Sequence, residues 1–203
     1  MNIAPDTAEL ARQMIAAGQL FHSRGWVPAT GGNFSARLDA EQVLITASGN
    51  HKGELVPEHF LVATLDGKPL EAGRRASYET LLHMQIYRRH PEAGGVLHTH
   101  STANTVLSRR FEQITLSNYE LLKVLPGAPD PQAEVVIPVF ANDQDIARLS
   151  ATVDAHMVKR PEMPAYLIAG HGLYAWGRDV AEARHRVEAI EFMLECHLRE
   201  LSL

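Results

Sequence analysis

From Val180 onward an apolar residue returns every three or four positions: Val180, Ala183, Val187, Ile190, Leu194, Leu198 and Leu201. Only an α-helix gathers such a series onto one face, and an unbroken stripe of this kind must be laid on another layer. Asp179 supplies its N-cap. A second helix is predicted from Asp6, with Glu9 completing a capping box, to Ser23 ahead of Gly25; Leu10, Met14, Ala17 and Phe21 share its inner face. A third runs from Ser77 as cap to His90-Pro91, with Tyr78, Leu82 and Ile86 on one side. A fourth is capped by Asn142 and aligns Ile146, Leu149, Val153 and Met157. Between the helices lie strands. One follows the Thr30–Asn33 turn, with Phe34, Ala36 and Leu38 alternating. Others are Val43–Ala47, Phe60–Asp66, the GGVLHTHS stretch, Glu134–Phe140 and two short strands around Gly170-His171-Gly172. Several of these follow one another through short turns, which favours an α/β fold with a mixed or antiparallel sheet covered by helices over a strict βαβ repeat. The loop Pro126–Gln132, with three prolines, reads as a surface excursion, and nothing in the composition divides residues 1–203 into more than a single domain.

Composition removes several classes of function. The single cysteine, Cys196, excludes an internal disulfide framework, Cys-rich zinc fingers and CxxC redox chemistry. Lys+Arg 19 against Asp+Glu 24 leaves a formal charge of -5 and no basic block, so a nucleic acid is not the expected partner. No apolar run approaches the length that spans a bilayer, and the N-terminal MNIAPDTAEL has neither a basic region nor an apolar core. The expectation is a cytoplasmic protein without a membrane partner.

Histidine is abundant, at 11 residues, and its placement carries the chemistry. His98 and His100 flank Thr99 at a strand end, where residues i and i+2 point to the same side and aim two imidazoles at one point. His171 lies between two glycines that permit a tight turn and close approach. Three neutral imidazoles would leave an open coordination position on a zinc ion; the same rings would also serve as a hydrogen-bonded polar cluster. Three segments resemble anion sites. TGGN (Thr30, Gly31, Gly32, Asn33) and ASGNHKG (with Ser48, Gly49 and Lys52) offer backbone N–H groups, hydroxyls and a lysine, and Ser77 sits at a predicted helix start. None ends in the GK[ST] of a Walker loop, and each taken singly reads more readily as an ordinary turn or cap. Two carboxylates complete the inventory: Glu79, just inside the helix after Ser77, and Glu120 in LSNYELL. Abstracting a proton next to a carbonyl needs such a base and an electrophile to hold the enolate oxygen. Glu79 would alternatively complement the helix dipole.

Taken in order, TGGN, the ITASG stretch, S-Y-E-x-x-L-H (Ser77 to His83), VLHTHS and the late GHG resemble the class II aldolase/adducin-like family over nearly the whole chain. The resemblance implies a three-layer α/β/α domain with a central mixed, largely antiparallel sheet. It also implies one Zn²⁺ per subunit on His98, His100 and His171, and phosphate contacts at Thr30, Gly31, Asn33, Ser48, Gly49 and Ser77. A homotetramer with sites near subunit boundaries is implied as well. Within the family, HKGEL after ITASG, SNYELLKVL and GHGLYAWG resemble a dehydratase branch acting on a phosphorylated keto-sugar, 5-methylthioribulose 1-phosphate. There the residue at Glu120 is the general acid/base, whereas in sugar-phosphate aldolases the residue at Glu79 has that role. The alternative is an aldolase or epimerase acting on a fuculose or ribulose phosphate. Tyr78 stands where such aldolases commonly carry a second serine, which disfavours that alternative. A non-catalytic, adducin-like module would normally lose the three histidines.

Overall fold

The computed structural model describes residues 7–201; the predicted cap Asp6 lies outside them. The chain runs α1 (Thr7–Ser23), β1 (Asn33–Arg37), β2 (Gln42–Thr46), β3 (Phe60–Thr64), α2 (Thr80–Arg89), β4 (Gly95–Thr99), α3 (Thr102–Arg110), β5 (Gln113–Leu116), β6 (Val135–Phe140), α4 (Ile146–Lys159), β7 (Ala165–Ile168), β8 (Gly172–Gly177) and α5 (Val180–Glu200). The strands form one sheet in the order β3-β2-β1-β4-β8-β7-β6-β5. Every pairing is antiparallel except β6 with β7. The expected mixed, largely antiparallel sheet is therefore present.

Each face of the sheet carries its own core, which makes the molecule three-layered. Phe34, Ala36, Leu97, Leu173 and Ala175 pack with α1, α3 and α5. The alternate residues Val96, Tyr174 and Trp176, with Val43, Ile45 and Leu61, pack with α2 and α4. Both faces are covered, so the central strands are buried on every residue and show little apolar–polar alternation. The α5 stripe forms as its periodicity requires. Val187, Ile190 and Leu194 are fully buried, each contributing roughly 1.5–3 kcal/mol, whereas the stripe ends at a partly exposed Leu201.

Three local expectations are corrected. Ser77 does not cap α2. Its backbone is tied to Thr46 across an isolated bridge, and the first helical residue is Thr80, which bonds back to the Ser77 carbonyl. Tyr78 consequently stays exposed instead of joining Leu82 and Ile86. The cap of α4 is Asp145, whose carboxylate accepts from the Arg148 N–H, and not Asn142. Finally, β5 and α3 extend the segment after the HxH pair; in β5 only Ile114 and Leu116 turn inward, too short a pattern to stand out as a strand.

Candidate active site

Strand alternation places the site. On β4, Val96 and His98 face the α2 side, whereas Leu97 and Thr99 face α5. His98 is fully buried and stacks on Tyr174 at 3.9 Å between ring centroids. His100 leaves the strand with its N–H bonded to the Trp26 carbonyl, and the β7–β8 turn delivers His171 from the far side. The Nε2 atoms of His98 and His100 lie 2.7 Å apart, and those of His98 and His171 lie 3.4 Å apart. Glu79 enters from the turn before α2. Its Oε1 is 2.8 Å from His171 Nε2 and its Oε2 is 3.4 Å from His98 Nε2. One ligand atom from each of these four residues falls within 4.8 Å of all the others.

Their protonation states suit a cation. Burial is the main cause that pushes His98 well below the usual imidazole range, and it lowers His100 to about 4, so both rings are neutral at pH 7. Burial by itself would raise the Glu79 carboxyl. The adjacent His98 and His171, with a hydrogen bond from Asn33, outweigh it and hold the group well below the usual carboxylate range. The Nδ1–H of His98 donates to the Leu173 carbonyl at 2.8 Å, which leaves the lone pair on Nε2, facing the cluster. Neutral His98 and His100 beside an ionised Glu79 offer donors of the kind that suits a divalent metal.

Beside this cluster a cavity of about 230 Å³ is lined by Thr30, Gly31, Asn33, Ser48, Gly49 and Ser77, together with Glu79 and His100. The fold thus brings to one wall the six residues to which the family resemblance assigns phosphate contacts, but not Lys52. The backbone N–H groups of Gly31, Ser48 and Ser77 are already bonded to the carbonyls of Pro28, Arg75 and Thr46. Thr30, Ser48 and Ser77 also bring hydroxyls to this wall. Lys52 lies behind the wall, buried, with Nζ bonded to the Thr30 and Asn50 carbonyls at 2.9 and 2.6 Å. Burial lowers it to about 8, against the pull of Glu79, and it ties the two loops together from below. A second cavity, of about 470 Å³, opens on the other side of Glu79, His100 and His171 and is lined by Pro28, Tyr78, Asn142, Gln144 and Ile146.

Residues 12–198 match the Class II Aldolase and Adducin N-terminal domain. The chain belongs to this family. Among its relatives, the methylthioribulose-1-phosphate dehydratase of Pseudomonas aeruginosa is 48% identical over 197 residues, 96% of each chain. That of Methylococcus capsulatus is 49% identical over 190 residues, 93% of each. The crystal structure of L-fuculose-1-phosphate aldolase from Thermus thermophilus superposes with a TM-score of 0.78 at 26% identity, covering 96% of each chain.

Glu120 stands apart from the cluster. It begins a short 3-10 helix (Glu120–Val124), its side chain is 73% exposed, and it pairs with Lys123 at 2.6 Å. It lines neither cavity beside the histidines. Two groups escaped sequence reasoning. His83, in the family motif, is completely buried next to Asn33, and Glu191 reaches Thr99 from α5. The signal for Glu191 was available: it lies four residues after Val187 and three before Leu194, on the buried stripe.

The close packing around the imidazoles gives a first prediction. A Cβ on Gly172 would run into the Thr99 carbonyl and stand 2.7 Å from His98 Cε1 and 3.1 Å from His100 Cδ2. Gly172→Ala should cost about 1–3 kcal/mol of stability through overpacking and weaken metal retention by displacing both rings. Melting curves with and without chelator, together with elemental analysis, check it; an alanine variant that melts and retains metal like the parent would contradict this account of the glycine.

Proposed function

We propose that this chain removes water from 5-methylthioribulose 1-phosphate to give 2,3-diketo-5-methylthiopentyl 1-phosphate, the dehydratase step of methionine salvage. The observation that carries the reading is the Glu79–His98–His100–His171 cluster abutting a hydroxyl-lined cavity, in a chain 48% identical to a curated dehydratase along nearly its whole length. We assign zinc, one per subunit, to His98, His100 and His171, because three imidazoles suit it and leave a coordination position open. When bound, the cation supplies Lewis-acid polarisation of the ketone. Thr30, Ser48 and Ser77 hold the phosphate at C1, so a non-reacting group positions the reacting carbons. Glu79, ionised beside the three histidines and not counted among the zinc ligands, receives the proton from C3. Glu120 delivers a proton to the C4 hydroxyl, which departs as water, and the remaining enol tautomerises to the diketone. Because Glu120 lies on the surface of its own subunit, it serves the site of a neighbour. This accords with a homotetramer whose sites lie at subunit boundaries, acting in the cytoplasm. Among the described residues no helix is long and apolar enough to cross a membrane.

Glu120→Gln should keep its zinc while kcat falls by about 10²–10⁴, the usual worth of a general acid. Mixed assemblies of Glu120→Gln and His98→Ala subunits should regain activity that neither has alone. A near-normal rate for Glu120→Gln removes it from the reaction. The alternative reading, retro-aldol cleavage or epimerisation of another sugar phosphate, draws on the 26% identity to the Thermus aldolase. It predicts release of an aldehyde instead of water, which mass analysis of the products distinguishes.

A further inference from the structure

Behind Glu79 a file of buried polar groups runs away from the cluster. Asn33 Nδ2 donates to Glu79 Oε2 at 2.6 Å. Asn33 Oδ1 meets His83 Nε2 in a short hydrogen bond. His83 Nδ1 lies 2.7 Å from Ser35 Oγ, and Ser35 Oγ lies 2.9 Å from the Tyr87 hydroxyl. Ser35 and His83 are completely buried, and Asn33 and Tyr87 almost so.

The hydrogens in this file can be placed from its carboxylate end. An ionised carboxylate only accepts, so the Asn33 group facing it must be the NH₂. The amide oxygen then faces His83, and an oxygen there needs a donor, so Nε2 carries the proton. Burial lowers His83 to about 4, which leaves the ring neutral and its Nδ1 bare. Ser35 must donate to that nitrogen, and Tyr87 in turn donates to Ser35. Every member gives one hydrogen bond toward Glu79, an arrangement in which successive bonds polarise one another.

We propose that His83, held by Ser35 in its Nε2–H tautomer, is a positioning residue that orients the Asn33 amide and, through it, the Glu79 carboxylate. The proposal rests on the reading of Glu79 as a reacting group only for its effect on rate. The hydrogen-bond order stands independently of it. With the opposite tautomer, Nε2 and the Asn33 oxygen would be two acceptors in contact, and the amide would turn its oxygen toward the carboxylate.

The test uses the zinc-loaded enzyme. Long-range nitrogen–carbon NMR correlations, with His83 assigned by loss of its signals in His83→Gln, should show a bare Nδ1 and a protonated Nε2 at pH 7. An Nδ1–H or doubly protonated ring overturns the proposal. Ser35→Ala removes the donor to Nδ1 with little change in shape. It should lower kcat about tenfold, the usual cost of losing such an outer partner, with zinc content and KM unchanged and a mixture of tautomers at His83. Tyr87→Phe leaves Ser35 free to donate and should stay within about twofold of the parent, by the same reasoning. Equal losses in the two variants, or a KM effect without a kcat effect, refute positioning through the tautomer. Absence of dehydratase turnover in the parent refutes the proposed function and leaves the tautomer measurement to decide the order of the chain.

Discussion

His98→Ala is expected to abolish metal retention and to lower kcat/KM by at least about 10³-fold. Of the three imidazoles, His98 is the one whose state is set most completely by the fold. It is fully buried, it stacks on Tyr174, and its Nδ1–H is committed to the Leu173 carbonyl, so Nε2 has no role except toward the cluster. Removing it leaves two of the three imidazoles. Polarising a carbonyl is worth several kcal/mol of transition-state stabilisation, and about 4 kcal/mol corresponds to about 10³ in rate. Elemental analysis after dialysis and a product assay read the two effects separately. The parent stripped by a chelator is the control: it should lose activity to the same extent and recover on readdition of zinc, whereas the variant should not. One equivalent of tightly held metal in His98→Ala, or turnover near that of the parent, would remove the cluster from the mechanism and the proposed reaction with it.

Much of this site is legible in the sequence because it depends on short-range rules. The period of two along β4 puts His98 on the α2 side, and the i+2 position continues it to His100. The glycines around His171 allow the close turn between β7 and β8 that brings this ring back. The parts that were not legible depend on tertiary competition. Ser77 has the chemistry of a cap, but its backbone is held by Thr46 and Glu79 turns its carboxylate toward the histidines, so α2 starts late. Asn142 and Asp145 are both good caps, and only the contacts of Asp145 with Arg148 in the folded chain separate them. The anion-site reading of the loops emphasised backbone N–H groups, and the fold spends several of these on neighbouring carbonyls. Lys52 looked like a ligand contact and lies instead beneath the loops, because its Nζ finds two carbonyls there.

Glu191→Gln should stabilise the protein above neutral pH and flatten its pH dependence. Glu191 sits on the buried stripe of α5, where its Oε1 accepts from the Thr99 hydroxyl at 2.5 Å and from Asn104 Nδ2 at 2.9 Å. Burial is the dominant influence and raises its carboxyl to about 7, although hydrogen bonds from Ser101, Thr99 and Asn104 pull the other way. The unfolded carboxyl titrates near its ordinary value of 4.5. Between these two values the folded chain holds a proton that the unfolded chain has released, so stability falls as pH rises across the window. The favourable contribution is complete below about 4.5 and is lost once pH has passed about 7. A shift of this size corresponds to about 3 kcal/mol. Glutamine preserves the shape and one accepting oxygen but cannot ionise. At pH 8 the variant should therefore melt higher by several degrees, at roughly 2–4 °C per kcal/mol for a chain of this length, and at pH 4 it should match the parent. Taking the difference between variant and parent cancels the titration of the metal site, which both share. Denaturation curves that stay parallel from pH 4.5 to 8 would show that Glu191 is ionised throughout, and that the donors from Thr99 and Asn104 compensate for its burial. Thr99 separates His98 from His100, so the same variant reports whether the charge state of α5 reaches the proposed metal site: zinc affinity should stay flat with pH in Glu191→Gln wherever the parent's affinity varies through this carboxyl.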